Sequence, residues 1–352
     1  MPGWIFRFNR RGRRPGGRGR GGILAAWGLA ALLCAPSLPV LAQEGSGPFP
    51  VRNFQPIQML ILGIPGDRAL VLPKGRLDVR IEMAETSSVF DENEPRVQTT
   101  MKLETLRSAV FLRYGLTQRL EVGMELPVLY RYRGFLEGLI TAAERATTGL
   151  APARERLRDT GFAFLMTRDG GTLFSGGSGG LGLGDLTLSA KFLVLEPTPD
   201  RPAASLRVAV KAPSGDDRRF FGSGHADVGL GLAVEHRLGA RWILYGNVNG
   251  IFPTGRISGL PVNPAVSVVT AAEYLVTPTF SLVGQFDYYS SPFRKTGSQV
   301  LDNGVTEVAV GFSSRIRPHI LWQVYGIENV DFIQNSAADF TLSTVVTFQF
   351  GP

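Results

Sequence analysis

This 352-residue chain has little cysteine, little histidine and no long uncharged run after its first 42 residues, and each of these features excludes a kind of site or anchor. Its one cysteine, Cys34, rules out a disulfide framework. Its three histidines, His225, His236 and His319, do not include two at the spacing of metal ligands. Beyond residue 42, no uncharged run reaches the ~20 residues that a membrane-spanning helix requires. We therefore expect no metal, no cofactor and no helical membrane anchor.

The first 42 residues predict a signal peptide. They contain seven arginines and no acidic residue, followed by an apolar core at 23–33 and small residues ending at Ala42. Removing this segment takes away Cys34 and leaves 30 basic residues against 30 acidic ones. The net charge of +7 therefore belongs to the signal peptide, and no nucleic-acid partner is expected.

The rest of the chain contains twelve stretches in which apolar and polar residues alternate. In the last stretch, Leu342, Val346 and Phe350 fall on one face, whereas Thr341 and Thr347 fall on the other. A strand of about 9–11 residues with an apolar outer face can cross a bilayer as part of a closed barrel. The predicted strands are 76–84, 99–114, 119–131, 184–195, 203–213, 226–236, 241–252, 264–275, 279–290, 304–316, 319–330 and 339–350.

The connections between these stretches favour one topology. Short turns, such as 115–118 and 317–318, alternate with longer and more polar connections, such as 214–225. This alternation and an even strand count are typical of bacterial barrels, and Trp242 and Trp322 begin strands where an aromatic girdle is expected. We predict an all-β fold, a transmembrane antiparallel up-and-down β-barrel of about 12 strands, located in the cell outer membrane of a Gram-negative bacterium.

Two segments depart from the strand pattern. Residues 43–74 contain five prolines and several apolar side chains, which predicts an irregular N-terminal segment and a candidate plug for the barrel of residues 75–350. Residues 132–183 predict a long outer loop, in which an apolar stripe at 135–143 with helical spacing indicates a short helix. Because such apolar groups need cover, we expect one of these segments to occupy part of the lumen.

Three sequence segments carry a resemblance to a known group of proteins. They are Pro-Phe-Pro-Val-Arg-Asn-Phe-Gln-Pro at 48–56, Leu-Arg-Tyr-Gly-Leu-Thr at 112–117 and Gly-Leu-Gly-Asp-Leu-Thr-Leu-Ser-Ala-Lys at 182–191. Together they resemble an uncharacterised family of Gram-negative outer-membrane β-barrels, a domain of unknown function. A more distant likeness is to barrels of aromatic-degradation operons. The resemblance implies a barrel fold and brings no catalytic residues with it.

The polar faces of the predicted strands carry charges of both signs. Unpaired charges are costly in a narrow lumen, so these side chains are expected to pair across strands. Such a lining either stiffens the barrel or offers a polar path to a solute, whereas a ring of one sign would indicate ion selectivity. The predicted lumen-lining residues are Arg80, Glu82, Arg107, Arg113, Glu121, Glu125, Lys191, Arg207, Lys211, Asp227, Glu235, Glu273, Asp287, Glu307 and Arg315.

The leading functional hypothesis is a porin-like channel or passive transporter for small molecules, apolar ones included. One alternative is an outer-membrane lipid-acting hydrolase that uses His225, since Ser223 and Asp227 lie close to it in sequence. The other is a structural or surface-binding barrel with a closed lumen. We assign no catalytic residue. The expected partners are outer-membrane lipid, the barrel-assembly machinery during biogenesis and an unidentified small solute.

Overall fold

The structure, a computed structural model, describes residues 45–147, 149–330 and 337–351. The predicted signal peptide at 1–42 and the first two residues of the predicted N-terminal segment lie outside the described residues. Among the residues described, no helix is both long enough and apolar enough to cross a membrane.

Strands dominate the described part of the chain. They are β1 (Leu77–Asn93), β2 (Val97–Gly115), β3 (Leu120–Tyr132), β4 (Ala163–Arg168), β5 (Gly171–Ser175), β6 (Gly180–Leu183), β7 (Thr187–Leu195), β8 (Ala203–Lys211), β9 (Asp227–Leu238), β10 (Trp242–Pro253), β11 (Arg256–Ile257), β12 (Leu260–Pro261), β13 (Ala265–Thr277), β14 (Phe280–Tyr289), β15 (Val305–Arg317), β16 (Ile320–Asn329) and β17 (Phe340–Phe350). The connections contain the helices α1 (Leu136–Ala146), α2 (Pro152–Arg156) and α3 (Gln299–Asp302), together with a 3₁₀ turn at Gln58–Leu60.

Twelve of these strands form a closed antiparallel ring. The order around the ring is β1, β2, β3, β7, β8, β9, β10, β13, β14, β15, β16 and β17. The last strand returns to the first, with Leu77 opposite Phe350 and Ser87 opposite Phe340. Closure leaves no unpaired strand edge in the ring, which is what a sheet surrounded by lipid requires. The predicted twelve-stranded up-and-down barrel is confirmed.

Alternating burial along each ring strand separates an outer face from an inner one. In β17, Leu342 and Phe350 are exposed, whereas Thr341, Ser343 and Thr347 are buried. Successive side chains of a strand point to opposite faces, so a period-two sequence gives the ring an apolar exterior and a polar interior. Val310 of β15 follows the same rule: it is exposed outside, and its neighbour Ala309 is fully buried inside.

The hairpin of β1 and β2 is longer than its sequence pattern suggested. The first strand was predicted to end at 84, but β1 continues through acidic residues to Asn93 and the turn occupies 94–96. The extension is stabilised on its inner face, where Phe90 lies opposite Met101 and both are buried. Tertiary packing of these two side chains therefore overrides the low strand propensity of the acidic residues.

The long connection between β3 and β7 has more structure than a loop. It contains the predicted helix as α1, a second short helix α2, the hairpin of β4 and β5, and β6. The hairpin extends the sheet because β4 pairs with the outer part of β2, and β6 pairs with β3 through Arg131 and Gly180.

Polar contacts hold α1 in place. Of its apolar stripe, Leu136 is buried but Phe135 and Leu139 are exposed. The Glu104 carboxylate accepts hydrogen bonds from the backbone N–H groups of Phe135, Leu136 and Glu137 at 2.7–3.0 Å, which stabilises the positive end of the helix. We expected the apolar side chains of the stripe to be buried against other parts of the protein, and this expectation is wrong for Phe135 and Leu139.

Candidate functional site

The N-terminal segment, residues 45–74, runs inside the ring; we call it the interior segment. Its first arm rises from the end of the barrel that carries the short turns, where the Ser46 N–H donates to both oxygens of Glu273 at 3.0 Å. Halfway up, Gln285 accepts from the Phe49 N–H at 2.8 Å and donates to the Phe49 carbonyl at 3.1 Å. At the opposite end, which carries the long loops, Gln55 donates to the Val300 carbonyl in α3.

The second arm of the interior segment returns along the other side of the barrel. The Leu62 N–H donates to Asp227 at 2.8 Å near the long-loop end. Lower down, Arg68 is paired with Glu235 at 2.8 Å, and the Leu72 N–H donates to Glu121 at 2.9 Å beside a short turn. The segment thus contacts strands on opposite sides of the ring, and this is possible only from within it.

An apolar cluster closes the long-loop end. Ile57, Leu60 and Ile64 of the interior segment pack there against side chains of the long loops and of the β1–β2 extension. The aromatic members Phe90, Phe164, Phe174 and Phe293 are at most 3% exposed. Because apolar burial is the main favourable term in packing, this cluster anchors the interior segment at the long-loop end.

The predicted lumen-lining side chains lie on the inner face of the ring. Three of them, Arg80, Arg113 and Arg315, are partly exposed to open space within the barrel. The other twelve are buried, namely Glu82, Arg107, Glu121, Glu125, Lys191, Arg207, Lys211, Asp227, Glu235, Glu273, Asp287 and Glu307. Their part in solute passage stays a prediction.

Ion pairs join many of these side chains, and the interior segment takes part in them. Arg107 bridges Glu82 and Glu125, and Arg52 of the segment reaches the same Glu125 at 3.0 Å. Asp67 of the segment is paired with Lys191 at 2.9 Å and with Arg113 at 3.2 Å.

A third cluster of this kind lies near the long-loop end. The Lys211 ammonium contacts Asp185 at 3.0 Å and Asp227 at 2.9 Å, and it donates to the Leu60 carbonyl. Buried charges of opposite sign satisfy one another in all three clusters, as burial requires.

The partners supplied by the interior segment were harder to predict from the sequence. Arg52 and Asp67 take part in the clusters and Arg68 is paired with Glu235, yet these three residues belong to no strand pattern and were not among the predicted lining residues. The available signal was the presence of charged side chains within a proline-rich, otherwise apolar stretch. Such charges need partners if the stretch is buried.

One sector of the inner face carries carboxylates without cationic partners. Asp287 of β14 and Glu307 of β15 lie directly opposite each other and are buried. Neither forms an ion pair with any described residue, and the same holds for Glu273 on β13, which accepts hydrogen bonds from Tyr245 and Ser281 at 2.6 Å. We call these three residues the acidic wall. The expectation that lumen charges pair across strands fails here.

Small cavities adjoin one another beside the second arm of the interior segment. One of about 50 Å³ lies near the long-loop end, lined by residues that include Arg107 and Lys211. The next, of about 80 Å³, shares Gly63 and Glu125 with it. A third, of about 130 Å³, lies near the short turns and shares Arg80 and Arg113 with the second. The cavities therefore trace an interrupted polar route along the barrel.

The corner around His225 does not form the hydrogen bonds of a hydrolase triad. The imidazole Nε2 lies 3.0 Å from the Arg256 carbonyl oxygen. The Ser223 hydroxyl contacts Lys211 at 2.5 Å and the backbone of His225, and Asp227 is held by Lys211. No described group of three or more histidine, cysteine, aspartate or glutamate side chains has the geometry of a metal site.

Comparison with known proteins now places the chain. A family model described as a protein of unknown function (DUF3187) matches residues 31–350. The chain belongs to this family. No curated protein matches it.

The solved structures that match the chain include outer-membrane channels and porins. The COG4313 outer membrane channel from Pseudomonas putida F1 aligns with a TM-score of 0.56 and 17% identity, over 80% of this chain and 98% of that one. The NanC porin aligns with a TM-score of 0.44 and 10% identity, over 77% and 98%. The P. putida toluene transporter TodX aligns with 0.37 and 9%, over 80% and 91%. The first similarity shows a shared fold, and the two lower scores carry no argument.

Proposed function

We propose that this protein is an outer-membrane channel or passive transporter for small molecules, in which the interior segment is the gate. The observation that carries the proposal is a chain segment threaded through the lumen beside a route of small cavities and held there by hydrogen bonds and ion pairs as well as by apolar packing. In this proposal the short turns face the periplasm and the long loops face outward, as is usual for bacterial barrels.

The exterior of the ring suits a bilayer. Its strands of 9–19 residues are long enough to cross one, and their outer faces are apolar. At the short-turn end, Trp242 lies 4.8 Å from Tyr274 and Trp322 lies 5.4 Å from Phe312, measured between ring centroids. Aromatic rings of this kind favour the headgroup region. Outer-membrane lipid and the assembly machinery remain the expected partners.

Passage through the barrel would require the interior segment to move. The cavities beside it, of about 50 to 130 Å³, do not form one continuous opening. Its first arm is held in mid-barrel by the two hydrogen bonds of Gln285, an arrangement that a solute or a periplasmic partner can replace. Below the apolar cluster the inner face carries many buried charged and polar side chains beside apolar ones, which favours a solute with at least one polar group.

A reversible disulfide lock tests the gate. A Cβ atom at Gly66 would lie 3.1 Å from a Val269 side-chain carbon on β13, so the variant Gly66→Cys/Val269→Cys brings two thiols within bonding reach. The predicted mature chain has no other cysteine. In planar bilayers we expect fewer and smaller conducting events when the lock is oxidised, and recovery when it is reduced. The single-cysteine variants are controls and should not respond to reductant.

A second variant keeps the gate testable if the lock strains the fold. Gln285→Leu removes both hydrogen bonds to Phe49 and should raise the open probability. A barrel that never conducts, whether locked, reduced or carrying Gln285→Leu, would contradict the channel and favour the structural barrel with a closed lumen. The hydrolase alternative draws no support from the His225 corner.

A further inference from the structure

Two arginines on the inner face have no carboxylate partner. Among the described residues, Arg80 makes no hydrogen bond and no ion pair, and its guanidinium lies 5.7 Å from the centroid of the Phe111 ring. Arg207 donates to the amide oxygen of Asn247 at 2.9 Å and forms no ion pair with a described residue. Asp67, a carboxylate that interacts electrostatically with both arginines, is already engaged by Lys191 and Arg113.

Both arginines line the same cavity, the middle one of about 80 Å³. Arg113 adds a third guanidinium and Phe111 an aromatic ring, whereas the two acidic lining residues, Asp67 and Glu125, are already engaged in ion pairs. The space depends on Gly123, because a Cβ atom there would lie 2.6 Å from the Ser189 hydroxyl. The cavity has room for a few water molecules or for one small anionic group.

A guanidinium confined to a barrel interior without an anion is costly, whereas a carboxylate can accept two parallel N–H donors from it. The charged side chains that line the neighbouring cavity also favour an anionic solute. The neighbouring cavity of about 130 Å³ is lined by Arg68, Arg76, Arg80, Arg113 and Arg315 but only by the acids Asp78 and Glu121. The acidic wall lies on other strands, β13 to β15, so the route runs through the cationic part of the lumen.

We propose that the cavity between Arg80 and Arg207 binds the carboxylate group of a small organic anion, which is the class of solute that the barrel conducts. This inference rests on the proposed channel function and makes it more specific. Arg80 supplies a guanidinium that makes no hydrogen bond or ion pair with a described residue, Arg207 supplies a second one in the same cavity, and the Phe111 ring offers an apolar surface to the rest of the solute.

Binding and passage are measured separately, so that the site and the channel can fail independently. Calorimetric titration of the purified protein uses sodium butyrate, butylammonium chloride and butanol, which share a four-carbon chain and differ in charge. Liposome swelling in the same three solutes measures passage. We expect binding and the fastest swelling with butyrate. If the three solutes bound equally well, or none of them bound, and all three entered the liposomes at one rate, the anion site would be refuted. The proposed channel function would not be affected by that result.

Substitutions locate the site. Arg80→Gln/Arg207→Gln should weaken butyrate binding at least about tenfold, because it removes both guanidinium groups and the loss of even one charge-assisted hydrogen bond has about that effect. Arg80→Lys should retain part of the affinity, and Glu307→Gln in the acidic wall should leave it unchanged. If the double variant does not fold, Arg80→Gln alone decides, because this side chain makes no hydrogen bond that folding would lose. Unchanged affinity in Arg80→Gln would refute the assignment, and binding without swelling would refute only the channel.

Discussion

Phe49 of the interior segment stacks on Tyr325 of β16, with ring centroids 4.3 Å apart and planes 14° from parallel. Phe49 is fully buried. The contact joins residues far apart in the sequence and fastens the first arm of the segment to the wall. Its strength determines how readily the proposed gate leaves the lumen.

The variant Phe49→Ala should release the first arm while the barrel stays folded. Truncating a buried phenylalanine typically costs about 3–5 kcal/mol, enough to raise the population of released segment about a hundredfold or more. Limited proteolysis in detergent should therefore cut within residues 45–60 much faster than in the wild type. Phe135→Ala, which removes an exposed ring, is the control and should leave the cutting rate unchanged. A slow, wild-type cutting rate for Phe49→Ala would count against a detachable segment.

The outward orientation of Val310 predicts a depth-dependent cost for charge. It is 63% exposed on the outer face of β15. Arginine at a lipid-facing position near the bilayer midplane costs about 2–4 kcal/mol in such barrels. Val310→Arg should accordingly lower the yield of folded barrel in lipid vesicles, read from heat-dependent gel mobility, whereas Val310→Leu should fold normally. Equal yields would mean that this face does not meet lipid. The inward neighbour Ala309 is a poor comparison because its surroundings are tightly packed.

Arg154 should be the main anchor of the α1–α2 region. Its side chain is 3% exposed and is paired with Glu137, Glu144 and Asp339. Removing the cation from a buried cluster leaves uncompensated carboxylates and costs about 3–5 kcal/mol when burial is complete, and less here because the acids are partly exposed. Arg154→Met should increase hydrogen exchange in residues 136–157. The control variant Arg156→Met breaks an exposed ion pair with Asp91 and should change hydrogen exchange little. If the two variants increased hydrogen exchange equally, Arg154 would not be the main anchor.

The same cluster predicts a pH response. Burial, together with the carboxylates Glu137, Glu144 and Glu328, raises the pKa of Asp339 to about 7 despite the opposing effect of Arg154. A carboxyl group whose pKa is higher in the folded protein stabilises it most below the unfolded value, and that stability is lost as the pH rises through the folded pKa. Protection of residues 337–341 from hydrogen exchange, corrected for intrinsic rates, should therefore fall as the pH rises from the unfolded value of 3.8 to about 7.

Asp339→Asn supplies the matched comparison for this response. An amide cannot ionise, so its protection should vary less across the same pH interval. The pH effect would be assigned to another group if the wild type and the variant lost protection equally.

Much of the barrel was predictable because its signal is local. The alternation of Leu342, Ser343 and Phe350 around one strand depends only on the period of an extended backbone, and the turn lengths depend on neighbouring residues. Strand ends were less predictable: β1 runs on through Asp91 because Phe90 and Met101 pack together, and no local rule reports that contact.

The candidate site, like the barrel, was predictable from the sequence only in part. Local alternation is enough to predict which side chains line the interior, since Arg80, Arg207 and Glu307 occupy the polar face of their strands. Which of these side chains are paired depends on contacts made in the folded barrel. Asp67 is 124 residues from its partner Lys191, and Phe49 is 236 residues from Gln285. Their meeting depends on the path of the interior segment through a closed ring, and that path is set by packing among distant residues rather than by any local pattern.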